Sequence, residues 1–382
     1  MEIFNIDMHN HTQGSDGKQL PLRLLLRASK ANKNIISMTD HNSVKGYRML
    51  ERQIKAIMDK AEDSRYKGTP KMLKLYENVL NVFSQVKLLK GTEIITTYEG
   101  NVIEVLGYDI DIDVMEKEIA DLRKNVVPSG TVLKKSLLQI VDKYNIKFDK
   151  DVYAEGKTGT VTGRFFDEIK KYDENQEFTK NFATLKEFIV KELYNPKSKF
   201  FVDLSECHPS MEDVIKSIHK AGGKAVLAHP GRYNFDVKGS MDTMIDKGLD
   251  GIEVWYPDHT SEFQSFLMDK VKERGLIASG GSDDHCNTKD GERYTMGKIN
   301  VPEIPQTEWI KDLAKTGKNF IDESKILREG KGKLAQELET GKLSRERNRF
   351  LEVLRVRKSE MINSETQSKT KDKENPREQG ER

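Results

Sequence analysis

The sequence predicts an α/β protein: a TIM-like barrel of alternating strands and helices, an inserted and mostly helical cap, and a disordered C-terminal tail. Three observations predict it. Short apolar runs alternate with helix-period segments over the first hundred residues and again after residue 206. The stretch between, 112–205, carries helical periodicity alone. Five of the eight histidines (9, 11, 41, 229 and 285) stand at the ends of apolar runs, beside Asp, Gly or Pro. Strands alternating with helices indicate βα units and a largely parallel sheet or barrel.

Each element has its own signal. EIFNIDMH (2–9) reads as the first strand, and Pro21 opens a helix with Leu22, Leu25, Leu26 and Ala28 at helical spacing. NIISMTD (34–40) is the second strand, followed by a helix from about Ser43 to Asp63. QVKLLKGTEII (85–95) and NVIEVLGYDI (101–110) pair around the turn residues Tyr98, Glu99 and Gly100. In the cap, VLKKSLLQIVDKY and FATLKEFIVKELY are the clearest amphipathic runs. The alternation then resumes: a helix over 210–221, KAVLAHP (224–230), a helix near 240–247, GLDGIEVWYP (248–257), a helix over 260–274 and LIASGGSDDH (276–285). The expected domains are therefore 1–111 and 206–322 for the barrel, 112–205 for the cap, and 323–382 for a charged helix and tail. SETQSKTKDKENPREQGER has almost no apolar residue with which to build a core, so it is expected to be disordered.

The 382 residues are 36% hydrophobic and 33% charged, with a net charge of +2. That balance does not demand a nucleic-acid partner. No stretch approaches the roughly 20 apolar residues of a membrane span, and MEIFNIDMHNHT lacks the basic start and apolar core of a signal peptide. Two cysteines are too few for a disulfide framework. A cytoplasmic enzyme is expected.

The chemistry is concentrated in DMHNHTQGSDG (7–17). Alternate residues of a strand share a face, so Asp7, His9 and His11 are expected to point together. Burying such a group without partners is costly, and a metal ion is a partner all three can share. Functional groups of a βα barrel gather at the C-terminal ends of its strands. His9 and His11 end the first strand, with Asp16 in the loop after it; Asp40 and His41 (MTDHNS) end the second and Glu93 (KGTEI) the third. Glu104 lies on the next strand, and His229 (LAHPGR), Glu253 (GIEVW), Asp283 and His285 (GGSDDH) complete the series. Taken singly, TDH is also a helix N-cap, HP a loop and SDDH a surface turn; their shared placement favours a site. Imidazoles with carboxylates suit Zn, Mn or Fe better than Ca or Mg. The donors exceed the needs of one tetrahedral ion, so two or three divalent metals are expected. His208, His219 and His259 lack such settings, and Cys286 is expected to be a bystander.

The series DMHNHT–SDG, ISMTDHNSVKG, KGTEI–EVLGYDID, AGGKAVLAHPGRY, GLDGIEVWYP and GGSDDH resembles the PHP (polymerase and histidinol phosphatase) superfamily of metal-dependent phosphoesterases. Within it, the resemblance is to the subgroup that acts on nucleoside 3',5'-bisphosphates and on RNA from the 5' end. It covers roughly residues 3–300 and implies a distorted (βα)7 barrel. It also implies one metal on His9, His11, Glu93 and Asp283, a second sharing Glu93 with His229, and a third on Asp16, His41 and His285. Asp7, Asp40 and Glu253 become groups that orient the imidazoles. The family's usual residue at Glu104 is His; a carboxylate there can still ligate and favours a harder ion, Mn or Fe over Zn. VTGRFFDEI follows the family's cap pattern only loosely.

The implied reaction is phosphomonoester hydrolysis by a metal-activated hydroxide, on nucleotides or RNA ends. His41 and Asp40 are the expected proton carriers, and Arg232 and Arg164 the expected phosphate-binding residues. The rivals are a phosphatase for another small phosphate such as histidinol phosphate, and a decayed metal-binding barrel serving as a nucleic-acid or protein interaction module. Expected partners are a small phosphorylated substrate or short nucleic acid, no membrane, and a partner for the tail.

Overall fold

The computed structural model describes residues 3–63, 65–195, 197–286, 294–316 and 318–371. The chain divides into two compact units, one of residues 1–52 and 85–324, the other of residues 53–84 and the chain from Lys325 on.

In the first unit a seven-stranded sheet pairs in chain order: β1 Ile6–Asp7, β2 Ile35–Met38, β3 Lys87–Tyr98, β4 Asn101–Tyr108, β5 Lys224–Leu227, β6 Gly251–Trp255 and β7 Ile277–Gly280. β1, β2 and β3 are parallel, as are β5, β6 and β7. β4 runs against both its neighbours. The reversal is local chemistry: Glu99 and Gly100 both take positive φ, 48° and 77°, the two-residue turn that matches the twist of a hairpin. After β7 the chain returns to β1, where Met8 N–H donates to Gly280 O (3.1 Å) and Asp283 N–H to His9 O (2.9 Å). The sheet is thus a nearly closed barrel, with the residues after β1 and β7 side by side at its C-terminal rim.

Two expectations need correction here. The first strand ends at Asp7 rather than at His9. The third does not end near Glu93: it continues to Tyr98, because hairpin pairing with β4 outlasts pairing with β2, which stops at Lys90.

The cap enters between β4 and β5. The helix Ile112–Lys124, capped by the Asp111 side chain on Val114 N, packs on the barrel side, with Glu118 paired to Lys220 at 2.5 Å. The cap's own core begins at Val132 and centres on Phe165, Phe182, Phe188 and Phe200, whose rings lie 4.9–6.1 Å apart.

The second unit is helical. The helix Lys45–Glu62 runs into it, followed by Pro70–Gln85 and the 47-residue helix Lys325–Lys371. Pro70–Gln85 buries Met72, Leu73, Tyr76, Val79, Val82 and Phe83, and Gly341 lies so close to Leu73 that a Cβ there would clash. The sequence marks a new segment at residue 323 but gives no sign that 53–84 joins it. The long helix passes Ser364, where the tail composition starts; tail residues 372–382 lie outside the described residues. Among the described residues no helix is long and apolar enough to cross a membrane.

Candidate metal centre

At the barrel's C-terminal rim, five imidazoles and four carboxylates converge. His9, His11 and His41 each present a ring nitrogen to the same Glu93 oxygen, Oε2, at 3.2, 3.3 and 3.0 Å. His229 Nε2 faces the other Glu93 oxygen at 3.0 Å and Glu104 Oε2 at 3.1 Å. Asp283 Oδ1 lies 3.0 Å from His11 Nε2, 3.6 Å from His9 Nε2 and 3.4 Å from His285 Nδ1. Asp16 Oδ1 faces His285 Nε2 at 3.3 Å and His41 Nε2 at 4.0 Å.

These separations have a physical reading. Donors about 2.1 Å from a tetrahedral ion stand roughly 3.4 Å apart, and the donor pairs here span 3.0–4.0 Å. One carboxylate oxygen cannot accept well-aligned bonds from three rings at once. Accordingly His9 Nε2, both nitrogens of His11, His41 Nδ1, His229 Nδ1 and Glu93 Oε2 are buried without a hydrogen bond among the described residues. Unpaired buried polar atoms are rare in native proteins, and four of these, His9 Nε2, His11 Nε2, His41 Nδ1 and Glu93 Oε2, converge on one another. The donors fit divalent metal in four overlapping sets: His11, Asp16, His41 and His285; His9, His229 and Asp283; His9, His11 and Glu93; and His41, Glu93 and Glu104.

The local structure explains the convergence. His9 and His11 follow β1 on alternate positions. β6 has a bulge after Glu253, and the Glu253 carboxylate accepts from His9 Nδ1 (3.1 Å) and from the His229 backbone N–H (2.8 Å). It therefore fixes the His9 tautomer, leaving Nε2 as the free donor, and holds His229 at the unusual φ of 23°. Asp283 is likewise at positive φ, 55°. Its Oδ2 accepts from the Tyr256 hydroxyl (2.8 Å) and from Arg232 Nη1 (3.0 Å).

Several expectations for single residues fail. Asp7 is paired with backbone and amide groups instead: its Oδ1 accepts from Ser282 N–H (2.9 Å) and Asn10 Nδ2 (3.3 Å), so the side chain ties down the loop after β7. Burial, against the Ser282 bonds, pushes its carboxyl up to about 6. Asp40 is buried, its Oδ1 takes Thr12 N–H (2.6 Å), its Oδ2 takes the Thr12 hydroxyl (2.7 Å), and Gly14 and Gly46 press against it, which leaves its role as a proton carrier without geometric support. It anchors the loop after His11. His41 directs both nitrogens at cluster carboxylates, which leaves the proton-carrier role without geometric support. Arg164 belongs to the cap, where Nη1 donates to Val152 O and the guanidinium covers the Tyr153 ring. His219 bonds Asp250 (2.7 Å), and His259 lies between Val254 O and Gly231 N.

Sequence reasoning missed two tyrosines, Tyr233 and Tyr256. Both follow a strand-end residue by a few positions, in LAHPGRY and EVWYP, and that placement is the signal that could have found them.

No family model matches the chain. It is 26% identical over 290 residues to the 5'-3' exoribonuclease of Haemophilus influenzae, covering 73% of this chain and 89% of that one. It is 23% identical over 317 residues to the 3',5'-nucleoside bisphosphate phosphatase of Chromobacterium violaceum, covering 80% and 95%. Those matches agree with the motif series and with a rim built to bind metal. The resemblance to PHP-type metal-dependent phosphoesterases read from the motifs stands with these relatives. The protein is a hydrolase acting on phosphoester bonds. A solved amidohydrolase from Chromobacterium violaceum, with sulfate bound and no metal, shares the fold: TM-score 0.50, 20% identity, 82% of this chain and 96% of that one.

The electrostatics of this phosphoesterase follow from burial and charge. Burial alone would lower the pKa of its imidazoles. For His9, the Glu93, Glu253 and Asp283 carboxylates reverse that and hold it well above the ordinary value. His11 is raised to about 10, against burial, by Asp283 and Glu93, and His229 to about 9 by Glu104 and Glu93. Burial would raise Glu93 and Asp283, but the imidazoles hold both well below the carboxylate range. Without metal, His9, His11 and His229 are held toward imidazolium beside the Glu93 and Asp283 carboxylates, a charged lattice. Divalent cations would take over the protons' charge.

Proposed function

We propose that this phosphoesterase hydrolyses phosphomonoesters of nucleotides or of RNA ends, with two or three divalent ions held by His9, His11, Asp16, His41, Glu93, Glu104, His229, Asp283 and His285. The observation that carries the proposal is the set of buried, unpartnered ring nitrogens converging on Glu93. Bound ions would supply Lewis acidity, activating a water and neutralising phosphate oxygens. Glu93 has cluster nitrogens on both oxygens and would be a ligand common to two of the donor sets. Glu104 adds a carboxylate where imidazoles otherwise dominate, which favours Mn or Fe over Zn. Glu253 orients His9 and the His229 backbone. Arg232 engages Tyr256 and Asp283 through Nη1, and its side chain is half-exposed at the rim, so its remaining donors are the phosphate-binding group. Nucleotide substrates rest on the exoribonuclease and bisphosphate phosphatase named above.

The test is phosphate release from adenosine 3',5'-bisphosphate, AMP, histidinol phosphate and a 5'-phosphorylated oligoribonucleotide. The protein is stripped and reloaded with Mn, Fe(II) or Zn, and His9→Ala is assayed alongside. Metal-dependent turnover of the nucleotides, absent in the variant, is expected. Faster turnover of histidinol phosphate would move the substrate assignment. Bound metal with no turnover of any phosphoester would end the catalytic reading.

A further inference from the structure

Above Glu93, no strand among the described residues pairs with β3 on its β2 side. Two loops satisfy that edge in turn: Ile95 N–H donates to Asn42 Oδ1 (3.2 Å), and Thr97 N–H donates to Pro209 O (3.0 Å). At this edge lies a cavity of 190 Å3. Its apolar lining comes from Ile94 and Ile95 of β3 and from Ile119, Leu122 and Val126 at the Ile112–Lys124 helix. Its polar residues are Asn42, Arg123 and His208.

The cavity adjoins the metal centre on two sides. Asn42 directly follows His41, and Ile95 is the cross-strand partner of Glu104, so these two side chains lie on one face of the hairpin, neighbours at roughly 5 Å between Cβ atoms. The Glu104 charge also reaches His208, where it opposes the fall that burial imposes on that imidazole's pKa. Arg123 Nη2 donates to Asn42 O (2.8 Å), which sets an exposed guanidinium at the cavity.

We infer that this cavity is the subsite for the base of a nucleotide whose phosphate lies on the metal centre. The inference rests on the phosphoesterase reading above and names what selects a nucleotide within it. The volume is well under the roughly 300–1,000 Å3 of pockets that enclose a drug-sized ligand. It suits one flat heterocycle rather than a whole nucleotide. Branched aliphatic walls cover the faces of a ring, and a guanidinium stacks on an aromatic heterocycle through cation–π attraction. Phosphate alone needs none of these features.

The experiment uses the metal-loaded full chain and two variants, Leu122→Trp, which fills the cavity, and Arg123→Ala, which removes the guanidinium without adding bulk. Phosphate release is compared for AMP and for glycerol phosphate, which has no base. The expected result is a KM for AMP raised about tenfold in both variants, within the range base stacking supplies, with glycerol phosphate turnover unchanged. Equal loss on both substrates, or no change on either, overturns the subsite. Should the unaltered protein hydrolyse no phosphoester, the parent reading fails and calorimetric titration with adenosine decides alone. Saturable binding lost in Arg123→Ala keeps the subsite, and no binding ends it.

Discussion

The barrel rim and the cap solve opposite problems within one unit. The rim buries His9, His11, Glu93, His229 and Asp283 nearly completely, yet leaves much of their hydrogen-bonding capacity unmet. The cap buries four phenylalanines on one another and turns Arg164 back onto its own backbone and Tyr153. One region is held by apolar area, which needs no ligand. The other packs imidazoles against carboxylates with hydrogen-bonding capacity left over, which a divalent ion would satisfy. Stability and activity are therefore expected to separate between them.

The largest expected effect breaks the rim. Glu93→Gln keeps the side-chain volume but removes the charge that four imidazoles face, so activity should fall by more than the 10–100-fold typical of an outer-sphere partner. Elemental analysis should show metal lost with it. Glu253→Gln should land within that 10–100-fold range, since Glu253 touches His9 and the His229 backbone but no candidate ion directly. Equal losses in the two variants would mean that Glu253 does more than orient its neighbours.

The cap gives the complementary result. Phe188 is fully buried against Phe165, Phe182 and Phe200. Phe188→Ala should cost about 3–5 kcal/mol of stability by denaturant titration, with the metal content of the folded protein unchanged. A drop in metal content would show that cap packing and rim geometry are one cooperative unit.

Acidity separates the regions again. In the metal-free chain His11 and His229 are raised from 6.5 to about 10 and about 9, burial opposing and the carboxylates prevailing. A raised pKa means that the protonated form stabilises the fold: the contribution is complete below pH 6.5 and is lost as pH climbs through 9 to 10. The melting temperature of stripped protein should therefore fall over that window, whereas metal-loaded protein should hold level because ions replace the protons. A flat profile for stripped protein would exclude the charged lattice.

Much of this was legible in the sequence for a physical reason: a barrel delivers strand-end residues to one rim, so the positions of His9, His11, His41, His229 and His285 in the chain already implied a shared place. What was not legible depended on the third dimension. Asp7 has the right spacing and the wrong environment, because its buried carboxylate is taken by Ser282 N–H and Asn10. Asp40 lies beside His41 in the chain, but Thr12 and two glycines enclose it. Arg164 looked free only because composition cannot reveal which aromatic ring a guanidinium will cover. The joining of 53–84 to the C-terminal helix left no trace, since helix periodicity names a buried face but not its partner.

The smallest effect expected is also the sharpest test of how the rim is shaped. Ala228 N–H donates to Glu104 O (3.1 Å), so a regular antiparallel ladder would return a bond from Glu104 N–H to Ala228 O. The Tyr233 hydroxyl intervenes instead, accepting from Glu104 N–H (2.9 Å) and donating to Ala228 O (2.8 Å). It wedges β4 from the end of β5 where Glu104 and His229 meet. Tyr233→Phe removes one oxygen and keeps the ring against His229, so about 1–3 kcal/mol of stability should be lost from the unpaired backbone groups. If the strands then close onto the regular ladder, the Glu104 carboxylate shifts from His229 and metal affinity should weaken about tenfold, with no change in the cap. Unaltered affinity at reduced stability would mean the wedge supports the backbone without aiming the carboxylate, and Glu104 would owe its position to the hairpin alone.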